Sequence, residues 1–206
     1  MFRLITTKGC SSAIIEAELV LAGLPHAIEE IDYTQHGPGR ERLKALNPLA
    51  QVPTLLLPDG TVMTESAAMT LHIADVAPQA GLVPPVGHPA RPAFLRWLLF
   101  LVAAVYPTFT YGDEPAKWVP AEAADALRVS TDRHRERLFD YLESQIAPAP
   151  WFLGQTFSAL DLYIAVMTQW RPREAWFTGH APRLLGVRRQ ALAMPQLAAV
   201  WARNFG

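Results

Sequence analysis

Three small polar side chains, Cys10, Ser11 and Ser12, lie between a short apolar segment and the apolar stretch that begins at Ala13. In an α/β unit, a loop at this position faces the crevice at the carboxyl ends of the strands. The positive end of the following helix dipole favours a negative sulfur, either that of Cys10 or one brought by a ligand. The run therefore predicts thiol chemistry. The alternative is structural, with Cys10 as a small buried filler and Ser12 as a helix cap.

A second stretch, Gln51-Val52-Pro53, leads directly into the apolar run that begins at Thr54. Pro53 has no N–H to give a sheet and holds Val52 extended. The main-chain groups of Val52 therefore stay free to pair with an extended ligand. For X–Pro bonds in general the trans form is the rule.

The pair Glu65-Ser66 precedes a helical stretch from Ala67 to Ala74. A serine hydroxyl together with the unpaired N–H groups of a first helical turn forms an anion site. The plainer interpretation is that Ser66 only caps the helix. The neighbouring carboxylate of Glu65 and the free extended segment before it favour a binding role.

The spacing and identity of Gln51-Val52-Pro53 and Glu65-Ser66 resemble the N-terminal half of the cytosolic glutathione S-transferases. The resemblance implies an α/β plus all-α fold, in which a thioredoxin-like βαβ-α-ββα domain precedes a helical-bundle domain. It also implies that Val52 holds glutathione through its main chain before a cis-proline. The Glu65-Ser66 pair would bind the γ-glutamyl end.

In this family the loop after the first strand carries the side chain that meets the glutathione sulfur. Counting back from Ala22 aligns Ser11 with the cysteine of the bacterial cysteine-type class, which orders the candidates as Ser11, then Cys10, then Ser12. Ala13 stands where a dithiol oxidoreductase needs its second cysteine, so a two-cysteine mechanism is excluded.

Tyr106 is a further candidate, placed close to where the cysteine-type class has a histidine aimed at the thiol. Its phenol could donate to a thiolate. A tyrosine beside Pro107 in an apolar helix is more often packed with its hydroxyl at the rim.

The pattern of apolar runs divides the chain into two halves. Residues 1–78 predict the glutathione-binding domain, residues 79–92 a linker rich in proline and glycine, and residues 93–206 an all-helical domain. Within the first domain, the expected order is strand, helix, strand, short helix, then a hairpin with a Pro58-Asp59-Gly60 turn and a last helix. Met194-Pro195 is expected to open the final helix of the chain.

Three features of the second half carry specific expectations. Pro107 should stop or kink the apolar helix that starts at Phe94. The charged stripe between Ala121 and Ile146, which includes Arg135, should face solvent. Ser158 and Asp161 have the spacing of a capping box.

Composition narrows the function classes. The 206 residues are half hydrophobic, carry a formal net charge of −1 and include one cysteine. We therefore expect a cytoplasmic protein in a reducing compartment, with no nucleic-acid partner and no internal disulfide. The apolar run from Trp97 to Val105 is too short to span a membrane. The histidines lack ligand spacing, so we expect no metal.

The sequence thus predicts a glutathione S-transferase that conjugates the glutathione thiolate, as co-substrate, to a small apolar electrophile. The resemblance also implies a homodimer. Two alternatives remain: a glutathione-dependent disulfide reductase that uses Cys10, and a non-catalytic binding module of the same fold.

Overall fold

The computed structural model describes residues 1–34, 36–147 and 150–206. They fall into two compact units, one formed by Met1–His88 with Gln190–Gly206 and the other by Pro89–Arg189. This division assigns the C-terminal segment to the first unit. The boundaries inferred from the sequence, 1–78 and 93–206, remain a prediction of where each domain folds.

The first unit is built on a four-stranded sheet with the order β2-β1-β3-β4. Its elements are β1 (Phe2–Thr6), α1 (Ser12–Leu21), β2 (His26–Glu30), α2 (Pro38–Leu46), β3 (Thr54–Leu56), β4 (Val62–Met63) and α3 (Ser66–Val76). Strand β1 is parallel to β2 and antiparallel to β3, and β3 is antiparallel to β4. The predicted βαβ-α-ββα order is confirmed. The chain's last segment adds a 3₁₀ turn (Pro195–Leu197) and helix α10 (Ala198–Phe205) to this unit.

Two glycines with positive φ allow the chain to turn after α1 and between β3 and β4. Gly23, at φ 65°, follows the end of α1 and donates its N–H to the carbonyl of Val20, as expected for the residue after a helix. Gly60, at φ 90°, closes the β3–β4 turn by donating to the carbonyl of Leu57 over 3.0 Å. Both conformations lie in the left-handed region that glycine adopts without strain.

The strand register brings three chain segments to one edge of the sheet. Ile5 lies opposite Thr54, and Leu55 lies opposite Met63. The end of β1, the start of β3 and the end of β4 therefore share this edge, because antiparallel neighbours exchange their ends. The loop before α1, the Val52-Pro53 segment and the start of α3 all continue from it.

The second unit is helical. It contains α4 (Arg91–Phe100), α5 (Tyr106–Asp113), α6 (Ala124–Gln145), α7 (Ala159–Met167) and α8 (Glu174–His180), and helix α9 (Pro182–Leu192) runs from it into the last segment of the chain. The helical C-terminal region predicted from the sequence is confirmed.

Pro107 was expected to stop or kink the helix, and the stop is wrong. A π-helical segment, Leu101–Val105, joins α4 to α5, and the N–H of Tyr106 bonds the carbonyl of Leu101 five residues before it. The wider turn accommodates a proline, which lacks an N–H and whose ring excludes an ordinary helical carbonyl. The helix thus runs on from Arg91 to Asp113.

This continuous helix is longer than the apolar run from Trp97 to Val105, which was expected to be too short to span a membrane. By length and composition alone, the 23 residues from Arg91 to Asp113 are sufficient to cross a membrane, a criterion that core helices of soluble proteins also meet. Several of its large side chains are buried in the unit: Phe94, Trp97, Leu98, Leu101, Val105 and Phe109.

The charged stripe on α6 is not wholly solvated. Arg135 is fully buried and donates to the carbonyl oxygen of Thr108 at 2.9 Å and to the carboxylate of Asp132 at 2.8 Å. Its guanidinium carbon lies 4.1 Å from the ring centroid of Phe109. Desolvation lowers the pKa of Arg135 below its usual value. The expectation of a solvent-facing arginine is wrong here, because α5 covers this position.

The capping box at the start of α7 is confirmed. The Asp161 carboxylate accepts N–H bonds from Ser158 and Phe152, each at 2.8 Å. Burial raises the pKa of Asp161 to about 6, and the hydrogen bonds from Phe152 and Ser158 oppose that rise.

Candidate functional site

Ser11 connects the predicted thiol loop to the predicted ligand-binding segment. Its hydroxyl donates to the main-chain oxygen of Val52 over 3.4 Å, a contact between residues 41 positions apart. Ser11 is the N-cap of α1, yet its side chain makes no capping bond to the helix. The hydroxyl is therefore directed at the start of β3 and not at its own helix.

Ser12 has a structural position. It is fully buried, and its hydroxyl donates to the carbonyl of Thr7 and accepts from the Thr6 hydroxyl at 2.5 Å. These bonds fasten the first turn of α1 to the end of β1. Ser12 is the first helical residue and not the cap, because Ser11 occupies the cap position.

Cys10 is partly exposed and forms no disulfide. Its N–H donates to the carbonyl of Thr7, and its own carbonyl accepts from Ala13 in the first turn of α1. Gly9, at φ 72°, turns the chain immediately before it. A partly exposed thiol beside a helix start is accessible to reagents, which distinguishes Cys10 from a buried filler.

The Val52-Pro53 segment directly precedes β3, and its peptide bond is cis, as the family resemblance implies. Two buried side chains hold the preceding carbonyl of Gln51: Asn47 donates to it at 3.1 Å and Thr54 at 2.8 Å. The side chain of Gln51 is exposed. Sequence reasoning gave no role to Asn47 or Thr54. Both are polar residues at the ends of the short segment that leads into β3, and this pattern in the sequence could have identified them.

Helix α3 begins at Ser66, so the N-cap is Glu65 and the prediction that Ser66 caps the helix is wrong by one residue. Glu65 makes no side-chain capping bond and has φ 65° and ψ 105°. Such a conformation costs a residue other than glycine about 1–3 kcal/mol and is found mainly at ligand-contacting sites. The side chain of Glu65 is exposed and that of Ser66 is partly exposed. Both are thus available to a ligand at the open start of α3.

Tyr106 lies in the second unit, at the junction of the π-helical segment with α5. Its ring contacts Trp170 and Phe109 edge to face, with centroid distances of 5.8 and 6.5 Å. Packing of this kind agrees with the structural interpretation. A role for Tyr106 toward a thiolate remains a prediction.

No group of three or more histidine, cysteine, aspartate or glutamate side chains that could hold a metal ion occurs in the described ranges 1–34, 36–147 and 150–206. A wide surface depression of about 840 Å³ lies on the second unit, along α6 and α8, and Arg133, Arg137, Trp176 and His180 contribute to its lining. None of the predicted site residues lines it. The contact between Ser11 and Val52 makes the sheet edge of the first unit the candidate site.

The profile of the family described as "Glutathione S-transferase, N-terminal domain" matches residues 14–76. A relative from Escherichia coli K12, the "Uncharacterized GST-like protein YncG", is 38% identical over 205 residues, which cover 99% of this chain and 98% of the relative. The chain belongs to the glutathione S-transferase family.

Solved structures agree with this assignment. A glutathione transferase homolog from Sulfitobacter, solved with bound glutathione, superimposes with a TM-score of 0.87 at 26% identity, covering 98% of this chain and 97% of the other. A sphingomonad glutathione S-transferase has the same fold, with a TM-score of 0.83 at 24% identity and coverage of 99% and 100%. The thioredoxin-like half followed by a helical half is therefore the fold of this chain.

Proposed function

We propose that this protein is a glutathione S-transferase that conjugates the glutathione thiolate to a small apolar electrophile. The contact between the Ser11 hydroxyl and the Val52 carbonyl carries this proposal, because it joins the thiol loop to the main-chain segment that would hold the peptide part of glutathione. The related Sulfitobacter structure contains glutathione, which supports the same ligand here.

The open start of α3 fits the γ-glutamyl end of glutathione. Its unpaired N–H groups and the Ser66 hydroxyl would accept the α-carboxylate, and the Glu65 carboxylate would bind the α-ammonium. Val52 would pair with the cysteinyl residue through its main chain, as extended peptides pair with a free strand segment. Gln51, next to Val52 and exposed, would contact the same ligand from its side chain.

In the proposed reaction the glutathione thiol loses its proton to solvent and the thiolate attacks the electrophilic carbon. A carbon–sulfur bond forms, and the leaving group departs with its bonding electron pair. Ser11 would turn its hydroxyl from Val52 to the sulfur and donate a hydrogen bond to the thiolate. Lowering the pKa of the thiol by one unit corresponds to about 1.4 kcal/mol. Holding the electrophile nearby supplies proximity.

An apolar co-substrate is supported by the aromatic side chains that remain accessible on the second unit. Tyr111 and Trp118 pack edge to face at 4.8 Å and are 41% and 53% exposed. We further propose a cytoplasmic homodimer, as the family resemblance implies. Sedimentation at micromolar concentration should give twice the mass of one chain, and a monomer would contradict this.

The decisive experiment compares Ser11→Ala with Cys10→Ala. Loss of a hydrogen bond to a charged sulfur should lower kcat/KM for 1-chloro-2,4-dinitrobenzene by about ten- to a hundredfold in Ser11→Ala. We expect Cys10→Ala to stay within about twofold of wild type, as does the exposed-serine control Ser130→Ala on α6. Glutathione affinity, measured by calorimetry, should change little in all three variants.

The partly exposed thiol of Cys10 favours one alternative, a glutathione-dependent disulfide reductase. The Cys10 thiolate would attack a glutathione mixed disulfide, take the glutathionyl group and release the other thiolate. A second glutathione would then restore Cys10 and leave as glutathione disulfide. In that case Cys10→Ala abolishes reduction and Ser11→Ala does not. If neither substitution alters either activity while glutathione still binds, Ser12 or the non-catalytic binding module replaces both hypotheses.

A further inference from the structure

The C-terminal helix α10 contacts the helix that carries the thiol loop. Glu16 lies one turn into α1 and is 1% exposed. Asn204 donates its side-chain N–H to one carboxylate oxygen of Glu16 at 3.2 Å, and Arg203 forms an ion pair with the other. A carboxylate buried this deeply requires such partners. Helix α10 therefore supplies the groups that allow Glu16 to be buried in α1.

The same asparagine also borders the loop itself. A Cβ atom placed on Gly9 would lie 3.7 Å from the main-chain oxygen of Asn204. Gly9 directly precedes Cys10 and adopts φ 72°. The side-chain amide of Asn204 also donates to the carbonyl of Val200 at 2.9 Å, which fixes the amide on α10. Asn204 is thus held on its own helix, with its main-chain oxygen beside Gly9 and its side chain bonded to Glu16 of α1.

We infer that Asn204 is a positioning residue for the thiol loop, which it holds through the contacts of α10 with Glu16 and Gly9. Freed from these contacts, the first turn of α1 and the Gly9–Ser11 loop would move relative to Val52. Small displacements of a reacting group lower rates strongly. The effect on catalysis rests on the proposed function, whereas the effect on the loop does not.

Cys10 allows the loop to be tested without glutathione, because it is the only cysteine in the chain. Its alkylation by iodoacetamide reports the accessibility and ionisation of one thiol in the loop. We expect Asn204→Ala to raise the alkylation rate at neutral pH by about threefold or more. The kcat/KM for conjugation should fall by about tenfold in the same variant.

A matched control removes a different anchor of the same helix. The indole N–H of Trp201 donates to the carbonyl of Ala191 at 3.1 Å, and neither residue belongs to α1. Trp201→Phe should lower Tm, yet leave alkylation and kcat/KM within about twofold of wild type. If Trp201→Phe changed both as much as Asn204→Ala does, α10 would serve stability alone and the inference would be wrong.

A substitution on the other side of the contact tests it independently. Glu16→Ala removes the carboxylate that accepts from Asn204 and leaves the bond from Asn204 to Val200 in place. We expect it also to raise alkylation by about threefold or more, whereas Glu16→Gln, which keeps one acceptor oxygen, should stay within about twofold of wild type. Wild-type alkylation in Asn204→Ala or in Glu16→Ala would overturn the inference. If wild-type protein did not conjugate glutathione at all, the proposed function would fail and the alkylation results would still decide this point.

Discussion

The starts of α3 and α7 use similar residue types in opposite ways. At α7, Ser158 has an extended backbone and forms a reciprocal capping box with Asp161. At α3, Glu65 occupies the cap position with φ 65° and no side-chain capping bond. One helix start is closed by its own side chains, and the other is left open at a strained residue. A serine before an apolar helix is therefore ambiguous until the cap geometry is known.

Two buried carboxylates extend the comparison between the units. Asp161 accepts two main-chain N–H bonds, and its pKa rises to about 6. Glu18 in α1 is fully buried and accepts from the Thr70 hydroxyl at 2.7 Å, and burial raises its pKa to about 8. Its second carboxylate oxygen, Oε2, has no hydrogen-bond partner among the described residues. The number of donors supplied to a buried carboxylate accounts for how far its pKa rises.

The largest effect should come from opening the closed helix start. Asp161→Ala leaves the buried N–H groups of Phe152 and Ser158 without their acceptor, which should cost about 4 kcal/mol in the free energy of unfolding. Asp161→Asn keeps one acceptor oxygen and should cost about half as much. Urea unfolding followed by circular dichroism measures both. Equal losses in the two variants would show that the charge matters and the hydrogen bonds do not.

A second prediction concerns Glu18. Its pKa is raised in the folded state, so its contribution to stability is complete below the unfolded value of 4.5 and is lost as pH rises through about 8. Relative to Glu18→Gln, which keeps an acceptor for Thr70, the wild type should lose roughly 3 kcal/mol between about pH 5.5 and pH 8. Parallel stability curves for the two proteins over this range would contradict the buried, proton-holding state of Glu18.

Much of the fold follows from local patterns in the sequence. The order of strands and helices along the chain, the glycine at the end of α1, the hairpin turn and the capping box at Ser158 each depend on residues close together in the chain. Two features that the sequence did not reveal depend on residues brought together by folding. Arg135 is buried because α5 covers it, and the contact between Glu16 and Asn204 spans 188 positions. No periodicity within one segment reports such contacts.

The sequence could suggest which residues form the candidate site, but not the hydrogen bonds that join them. The sequence pattern proposed Val52, Glu65 and Ser66 as site residues, which remains a prediction, and it placed the cap of α3 one residue late, because backbone strain at Glu65 leaves no mark on residue type. It also ranked three adjacent side chains without separating them. The structure distinguishes them by contact: Ser12 is bonded to Thr6, whereas Ser11 reaches the start of β3.

The open start of α3 yields a functional prediction of intermediate size. Glu65→Ala removes the carboxylate proposed to bind the γ-glutamyl ammonium, and glutathione affinity measured by calorimetry should fall by about tenfold or somewhat more. The exposed control Glu122→Ala should keep wild-type affinity. Unchanged binding in Glu65→Ala would remove this residue from the proposed site.

The smallest effect separates the backbone of Glu65 from its side chain. Glu65→Gly and Glu65→Ala lose the same carboxylate, so both should bind glutathione equally weakly. Only glycine relieves the strain at φ 65°, and only alanine retains the Cβ that causes it. The greater entropy of glycine in the unfolded chain offsets part of this relief, so we expect Glu65→Gly to be more stable than Glu65→Ala by only about 1 kcal/mol in urea unfolding. If alanine proved equally or more stable, the conformation at the start of α3 would store no strain, and its contrast with the closed start of α7 would reduce to the missing capping bond.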